Sequence, residues 1–363
     1  MIYFRGMKLN AHLAGLLVAI AISNSAYAQD SLRYPEEKHF KDLRQLTFGA
    51  DNAEAYWSFD SKMITFQSNN KSWGVGCDQI FYMPVTGENL RDGHKPHMIS
   101  TGEGRTTCSY FMKGNKTVLY ASTHLGGKEC PAEPERVPGG KYLWPIYDTY
   151  DIFVADLNGK IKEQLTNTPG YDAEATISPK GDKIVFTSTR NGDLDLYVMD
   201  VKSKKITQIT NETGYDGGAF FSPDGKKLVF RASRPKTDEE KKEYMGYLKQ
   251  GLVAPTAMEI FTCNIDGSDL KQLTSLGKAN WAPFYHPSGK KIIFSSNHKG
   301  TRGFEFNLFM INVDGTGLEQ ITYDKVFDSF PMFSPDGKKI IFSSNRNNGG
   351  TRNTNLFVAD WVD

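Results

Sequence analysis

The chain has 363 residues, of which 39% are hydrophobic, 12% aromatic and 23% charged. That is enough apolar material for a large packed core, and it excludes a disordered, collagen-like or coiled-coil protein. A formal net charge of +1 argues against a nucleic-acid partner, which demands a strongly basic surface.

Residues 1–28 have the order of a secretory signal peptide: Arg5 and Lys8, the apolar run 13–22, polar Ser23 to Ser25, then Ala26-Tyr27-Ala28 with cleavage before Gln29. The apolar run is far shorter than the roughly 20 residues that span a bilayer, and no later segment reaches that length. An exported protein, periplasmic or secreted and without a membrane span, is expected. Residues 29–40 are a short lead-in.

From residue 41 to 363 the chain repeats. The turn Ser-Pro-Asp-Gly stands at 222–225 and 334–337, with variants at Ser178-Pro179-Lys180-Gly181 and His286-Pro287-Ser288-Gly289 and weaker copies at Ser58 to Ser61 and Met112 to Asn115. Pro and Asp suit the middle of the turn, and Gly takes the left-handed conformation that starts the next strand. Before each turn comes a strand ending in Trp57, Phe111, Ile177, Phe221, Tyr285 or Phe333, and after it an apolar run such as 339–344. A third strand follows at 79–83, 151–156, 195–200, 259–264, 307–312 and 355–360, and a Gln-Leu-Thr-type strand closes units at Gln164, Gln208, Gln272 and Gln320. Six units of four short strands make an all-β six-bladed propeller. The last unit lacks its fourth strand, and 43–48 precedes any unit. The N-terminal strand is therefore expected to pair with 355–361 and close the ring without a bare edge.

This series of Gln-Leu-Thr, Tyr-Asp, Ser-Pro-Asp-Gly and Asp-Leu-Tyr-Val-Met-Asp resembles the WD40-like (PD40) repeats of the TolB propeller family over about 41–363. Blades of this kind serve a Tol-system translocation protein, dipeptidyl-peptidase propellers and an oligogalacturonate lyase. The resemblance implies an envelope protein that binds others. The TolB N-terminal α/β domain is not expected here, since only about a dozen residues separate the cleavage site from the first strand. Neither is a peptidase domain, and no Gly-x-Ser-x-Gly occurs.

Strands of a blade alternate in direction, so the loops between second and third strands share a face with the crossings between blades. The long segments 71–78, 125–150, 235–258, 299–306 and 347–354 fall there, which makes that face the expected place for binding. The blade 4 insertion reads as a helix within 237–251, with Thr237 and Glu240 as a capping box and Gly251 as its stop. Its Tyr244, Tyr247 and Leu248 form one stripe, expected to pack on the rim, the alternative being a lid over a ligand. The blade 2 insertion carries Pro131, Pro134, Pro138, Gly139, Gly140, Trp144 and Pro145.

Cys77, Cys108 and Cys130 belong to that face and two adjacent blades, and one disulfide among them is expected, Cys108 to Cys130 before Cys77 to Cys108. Cys263 lies in a strand, where a buried thiol is expected. At the channel mouth the candidates for binding are Glu54, Arg105, Asp172, Glu174, Asp216, Asn280, Trp281 and Asp328; the alternative for the aspartates is pairing with Arg190 or Arg234. An outer ring on the same face comprises Asn70, His124, Arg190, Arg234, His298 and Arg346; all but Asn70, with Trp144 of the blade 2 insertion, are further candidates for binding. His124 and His298 sit on opposite blades, on the order of 20 Å apart by strand spacing, too far to share an ion whose ligands lie at about 2 Å. No metal and no cofactor are expected. The binding expected is of an envelope protein or peptide, or a cell-wall component, by a monomer. The alternative is a carbohydrate-active or hydrolytic enzyme using Glu54, Glu174, Asp172 and Asp328.

Overall fold

In the computed structural model residues 32–87, 90, 94–134 and 140–363 are described; the expected signal segment 1–28 and Pro138 and Gly139 of the blade 2 insertion lie outside them. Six four-stranded antiparallel sheets form the molecule. Their first strands are Asn52–Trp57, Thr106–Phe111, Asp172–Ile177, Asp216–Phe221, Asn280–Tyr285 and Asp328–Phe333, and each touches the next around a closed ring. Blade 1 gains its fourth strand at His97–Met98, a segment with no Gln-Leu-Thr signature.

The repeated turn works as its residues dictate. In blades 4 and 6 the serine hydroxyl donates to Asp224 or Asp336 and accepts from the amide of Lys227 or Lys339, both at 2.9 Å. Gly225 and Gly337 both stand at φ +71°. In the two weak copies Ser61 (φ +60°) and Asn115 (φ +59°) take the left-handed position, so the turn geometry persists where the motif has decayed.

The fourth residue of each second strand is aromatic: Phe66, Tyr120, Phe186, Phe230, Phe294 and Phe342, all fully buried. Each rings the core at the same depth, at about 1.5–3 kcal/mol of burial apiece. The ring closes as expected. Phe40–Gln45 pairs antiparallel with Asn355–Trp361, Phe40 opposite Trp361 and Gln45 opposite Phe357. The strand starts earlier than the sequence suggested because Phe40 and Leu43 supply the buried contacts.

The lead-in before it is ordered by charge. Arg346 of blade 6 donates to both oxygens of Glu37, at 3.0 and 2.9 Å, and to Asp328 at 2.8 Å, all three side chains being buried.

The two long insertions also meet. Trp144–Pro145 from blade 2 pairs antiparallel with Leu252–Val253 from blade 4, bridging over blade 3. The blade 4 helix, α1, spans Asp238–Leu248 behind the Thr237–Glu240 capping box. Its Tyr244 is buried and donates to Asp193, and Leu248 packs against the same cluster.

Candidate ligand-binding site

Every first strand pairs with its second through a register shift just after its second residue. At that bulge the third residue is left-handed in all six blades: Glu54, Cys108, Glu174, Gly218, Ala282 and Phe330, with φ between +45° and +59°. A bulge re-aims its side chain; here Glu54, Cys108, Glu174 and Phe330 are directed into the channel, where they form the floor of a cavity of about 730 Å³ on the long-loop face. Below them Tyr56, Tyr110, Phe220 and Phe284 pack ring against ring, centroids 5.1 to 6.4 Å apart, and fill the middle of the channel.

On the floor, Glu174 is wrapped in donors. Tyr215 Oη donates at 2.7 Å, Thr187 Oγ1 at 2.8 Å, the Gly218 amide at 2.9 Å, and Arg231 completes the set. Room for this cluster exists because blade 4 has glycines where others have side chains. A Cβ on Gly217 would lie 2.2 Å from a Glu174 oxygen, and one on Gly218 2.7 Å from Arg231 Nη1. Burial alone would lower the basicity of Arg231, but Tyr215 and Glu174 reverse this and the guanidinium stays charged. It lies beneath the Trp144 ring, 5.2 Å from the centroid.

Glu54 is held more loosely, accepting from Cys108 Sγ and Tyr56 Oη at 3.0 Å each. Burial pushes its carboxyl above the usual range, against the Cys108 hydrogen bond and the Arg231 charge. Burial, reinforced by the Glu54 charge, drives the Cys108 thiol well above its ordinary value, which leaves it protonated and weakly nucleophilic.

The walls are aromatic. Trp144 and Tyr147 come from the blade 2 insertion, Trp281 and Phe306 from blade 5, Phe327 and Phe330 from blade 6. Trp281 stacks on Phe306 at 4.3 Å and meets Trp144 at 5.0 Å. Arg105 lines the same cavity, clamped between Asp78 at 3.1 Å and Glu133 at 2.6 Å.

Of the residues proposed from sequence, the cavity therefore brings together Glu54, Arg105, Glu174, Trp281 and Trp144. The others lie outside the cavity lining. Asp172, Asp216 and Asp328 are buried and pair with Arg190 at 2.9 Å, Arg234 at 2.7 Å and Arg346 at 2.8 Å. Blade 5 has the neutral equivalent, with Asn280 and His298 both bonded to Ser296. His124 and His298 lie over Phe153 and Phe309, centroids 4.5 Å away in each case, and burial lowers both imidazoles below their ordinary value. Among the described residues no group of three or more His, Cys, Asp or Glu is arranged to hold a metal ion.

The expected disulfide pairings are corrected. The bridge joins Cys77 to Cys130, Cα atoms 6.0 Å apart, and Cys108 is free. The physical reason is the bulge: it aims Cys108 at Glu54, while the blade 2 insertion folds back to carry Cys130 over Gly76, whose missing Cβ leaves it room.

Arg231, Tyr215 and Cys108 as a floor residue were missed from sequence. One signal was present. The fifth residue of the second strands is Gln67, Ala121, Thr187, Arg231, Ser295 or Ser343, and only blade 4 breaks the small or neutral pattern with a charge.

The family model for the TolB beta propeller domain (PD40) matches residues 148–239 and 244–353, more than half the chain. The chain belongs to this family. Among solved structures this PD40 propeller is similar to a putative TolB from Agrobacterium tumefaciens, at 18% identity and TM-score 0.57 over 88% of this chain and 97% of that one. It is also similar to TolB from Acinetobacter baumannii, at 19% identity and TM-score 0.55 over 84% of this chain and 64% of that one. At these identities the likeness concerns the fold. No curated protein sequence matches the chain. Among the described residues no helix is long and apolar enough to cross a membrane.

Proposed function

We propose that this PD40 propeller is an exported binding protein whose ligand enters the aromatic cavity at the long-loop mouth of its channel. One observation carries the reading: the bulge residues do not repeat from blade to blade, and four of them, Glu54, Cys108, Glu174 and Phe330, converge on one cavity beside which two insertions pair with each other. A repeated scaffold with unrepeated residues at one mouth is the usual arrangement of a binding propeller. The Cys77–Cys130 bridge supports an oxidising compartment, as does the signal-like start of the chain. The similarity to TolB structures supports an envelope role.

Binding is favoured over hydrolysis by the state of the carboxylates. Asp172 and Asp328 are buried in ion pairs, and Glu174 has its oxygens filled by donors. An acid and base pair needs two carboxyl groups open to substrate. The test is capture from envelope extract by immobilised wild type and by a Trp144→Ala/Phe330→Ala variant of unchanged melting temperature. Material retained by the first and lost by the second is the expected result; identical capture moves the site off this face.

A further inference from the structure

On the face opposite that cavity, we propose that the channel mouth is a second binding site, which takes a single-chain carboxylate with its tail along the channel and its head at Lys113. The mouth is a funnel of about 320 Å³, inside the ~300–1,000 Å³ span of small-ligand clefts. The repeated turn builds it: the second turn residue of each blade, Phe59, Lys113, Pro179, Pro223, Pro287 and Pro335, stands on its rim. Neighbouring turns abut, so that a Cβ on Gly225 would lie 3.8 Å from Pro179 and one on Gly337 3.5 Å from Pro287. Deeper come the strand ends Trp57, Ile177, Phe221 and Phe333, and Tyr110, Phe220 and Phe284 of the central plug form the floor. A pit with apolar walls all round and one open end suits a tail that enters end-on.

Charge selects the head. Lys113 is the one charged member of the rim. Its Nζ donates to the Pro179 carbonyl at 3.3 Å and lies 4.6 Å from the centroid of Phe59, so it reaches across the mouth between blades 1 and 3. An ammonium has three donors, and among the described residues no carboxylate pairs with this one. Lys62, Lys116, Lys180, Lys226, Lys290 and Lys338 stand exposed on or just after the same turns, also without ion pairs among the described residues. Against these seven cations the turns carry Asp60, Asp182, Asp224 and Asp336, each accepting from the serine of its own turn. The mouth is therefore positive and complementary to an anion. A flat anionic membrane fits less well, because Asp266 and Asp314 stand exposed on the outer hairpins of blades 4 and 5 on the same face. A tail in the funnel covers Tyr110 and Tyr285, whose hydroxyls have no hydrogen-bond partner among the described residues. Covering each weakens binding by roughly tenfold, which two buried methylenes offset at roughly fourfold each. Very short chains should therefore not be held.

The experiment titrates the purified chain by calorimetry, below micelle-forming concentrations, with butyrate, octanoate, decanoate and dodecanoate, with octanol, and with phosphatidylglycerol vesicles. The expected result is no binding of butyrate and saturable binding of the longer acids, tightening by roughly fourfold per methylene until the tail reaches the floor. Octanol should bind about fivefold more weakly than octanoate, the strength of one exposed ion pair. Lys113→Met should abolish that preference, while Lys160→Met, on the outer hairpin of the same blade, leaves it unchanged. A decanoate brominated at its tail should quench tryptophan fluorescence, and Trp57→Phe, at unchanged melting temperature, should lose most of that quenching while still binding decanoate. Affinity indifferent to chain length, octanol bound as tightly as octanoate, or a preference that survives Lys113→Met overturns the proposal. Vesicle binding without uptake of the free acids also overturns it and makes the face a membrane contact. Quenching untouched by Trp57→Phe places the tail elsewhere, the cavity of the long-loop face included, and the funnel site falls.

Discussion

The first and third residues of the six inner strands form two rings two residues apart, and the first repeats its chemistry where the third does not. The first ring is Asn52, Thr106, Asp172, Asp216, Asn280 and Asp328, and the side chains that bond its acids and amides match them. The three aspartates face Arg190, Arg234 and Arg346, whereas Asn52 and Asn280 bond the neutral Ser68 and Ser296. Charge is matched blade by blade, as a buried group requires. In the third ring a glutamate, a thiol, a second glutamate, a glycine, an alanine and a phenylalanine share one backbone conformation and nothing else. The first ring holds each blade together; the third is free to vary because its side chains leave the blade for the channel.

The severest test of this division is to open the first ring. Deleting residues 29–48 removes the strand paired with Asn355–Trp361 and the Glu37 carboxylate bound by Arg346. The expected outcome is loss of a single cooperative unfolding transition, read by circular dichroism. A truncated chain that melts as the full one does would show that the ring does not depend on closure.

Next in size is Arg346→Ala, which leaves Glu37 and Asp328 buried without their cation. A cost of about 3–5 kcal/mol is expected from denaturant unfolding, and a smaller one for Arg190→Ala, whose arginine answers only one wholly buried acid, Asp172. Equal costs would mean that the Glu37 contact contributes nothing.

The third ring should respond to backbone fit rather than charge. Ala282 stands at φ +49°, so Ala282→Gly relieves a left-handed alanine and is expected to stabilise by about 0.5–1 kcal/mol. Gly218→Ala reverses the change at φ +59° and brings a Cβ to within 2.7 Å of Arg231 Nη1; a loss of about 1–2 kcal/mol is expected. If both substitutions moved stability the same way, the shared bulge would not be the constraint described here.

The repeat made the first ring and the fold legible in the sequence. The ends of all six inner strands, the closing strand and the blade 4 capping box follow from turn chemistry and period. The pairing of aspartates with Arg190 and Arg234 is legible only as the alternative to ligand contact, and the same repeat sets Asp328 against Arg346. The third ring resisted because a bulge is a backbone event: alternation along 106–111 does not show that Cys108 aims at Glu54, and without that the sequence points to the wrong pair of cysteines. The pairing of the two insertions was invisible for a different reason. Trp144 and Leu252 are far apart in sequence and lie in segments with no repeat to align.

The smallest expected effect concerns Glu54 and separates a proton-holding floor from a charged one. Burial raises its carboxyl above the ordinary value of 4.5, so around and above that pH the folded chain binds more protons at this site than the unfolded chain. Stability then falls as pH rises through that window. Glu54→Gln keeps the shape and can still accept from Cys108 and Tyr56, but it does not titrate. The variant should match wild type at pH 4 and melt about 2 °C higher at pH 8, a shift scaled from the size of the chain. Calorimetric scans at the two pH values decide it. A difference that stays flat across the range would mean that folding leaves the proton affinity of Glu54 unchanged and that the cavity floor carries a net negative charge at pH 8.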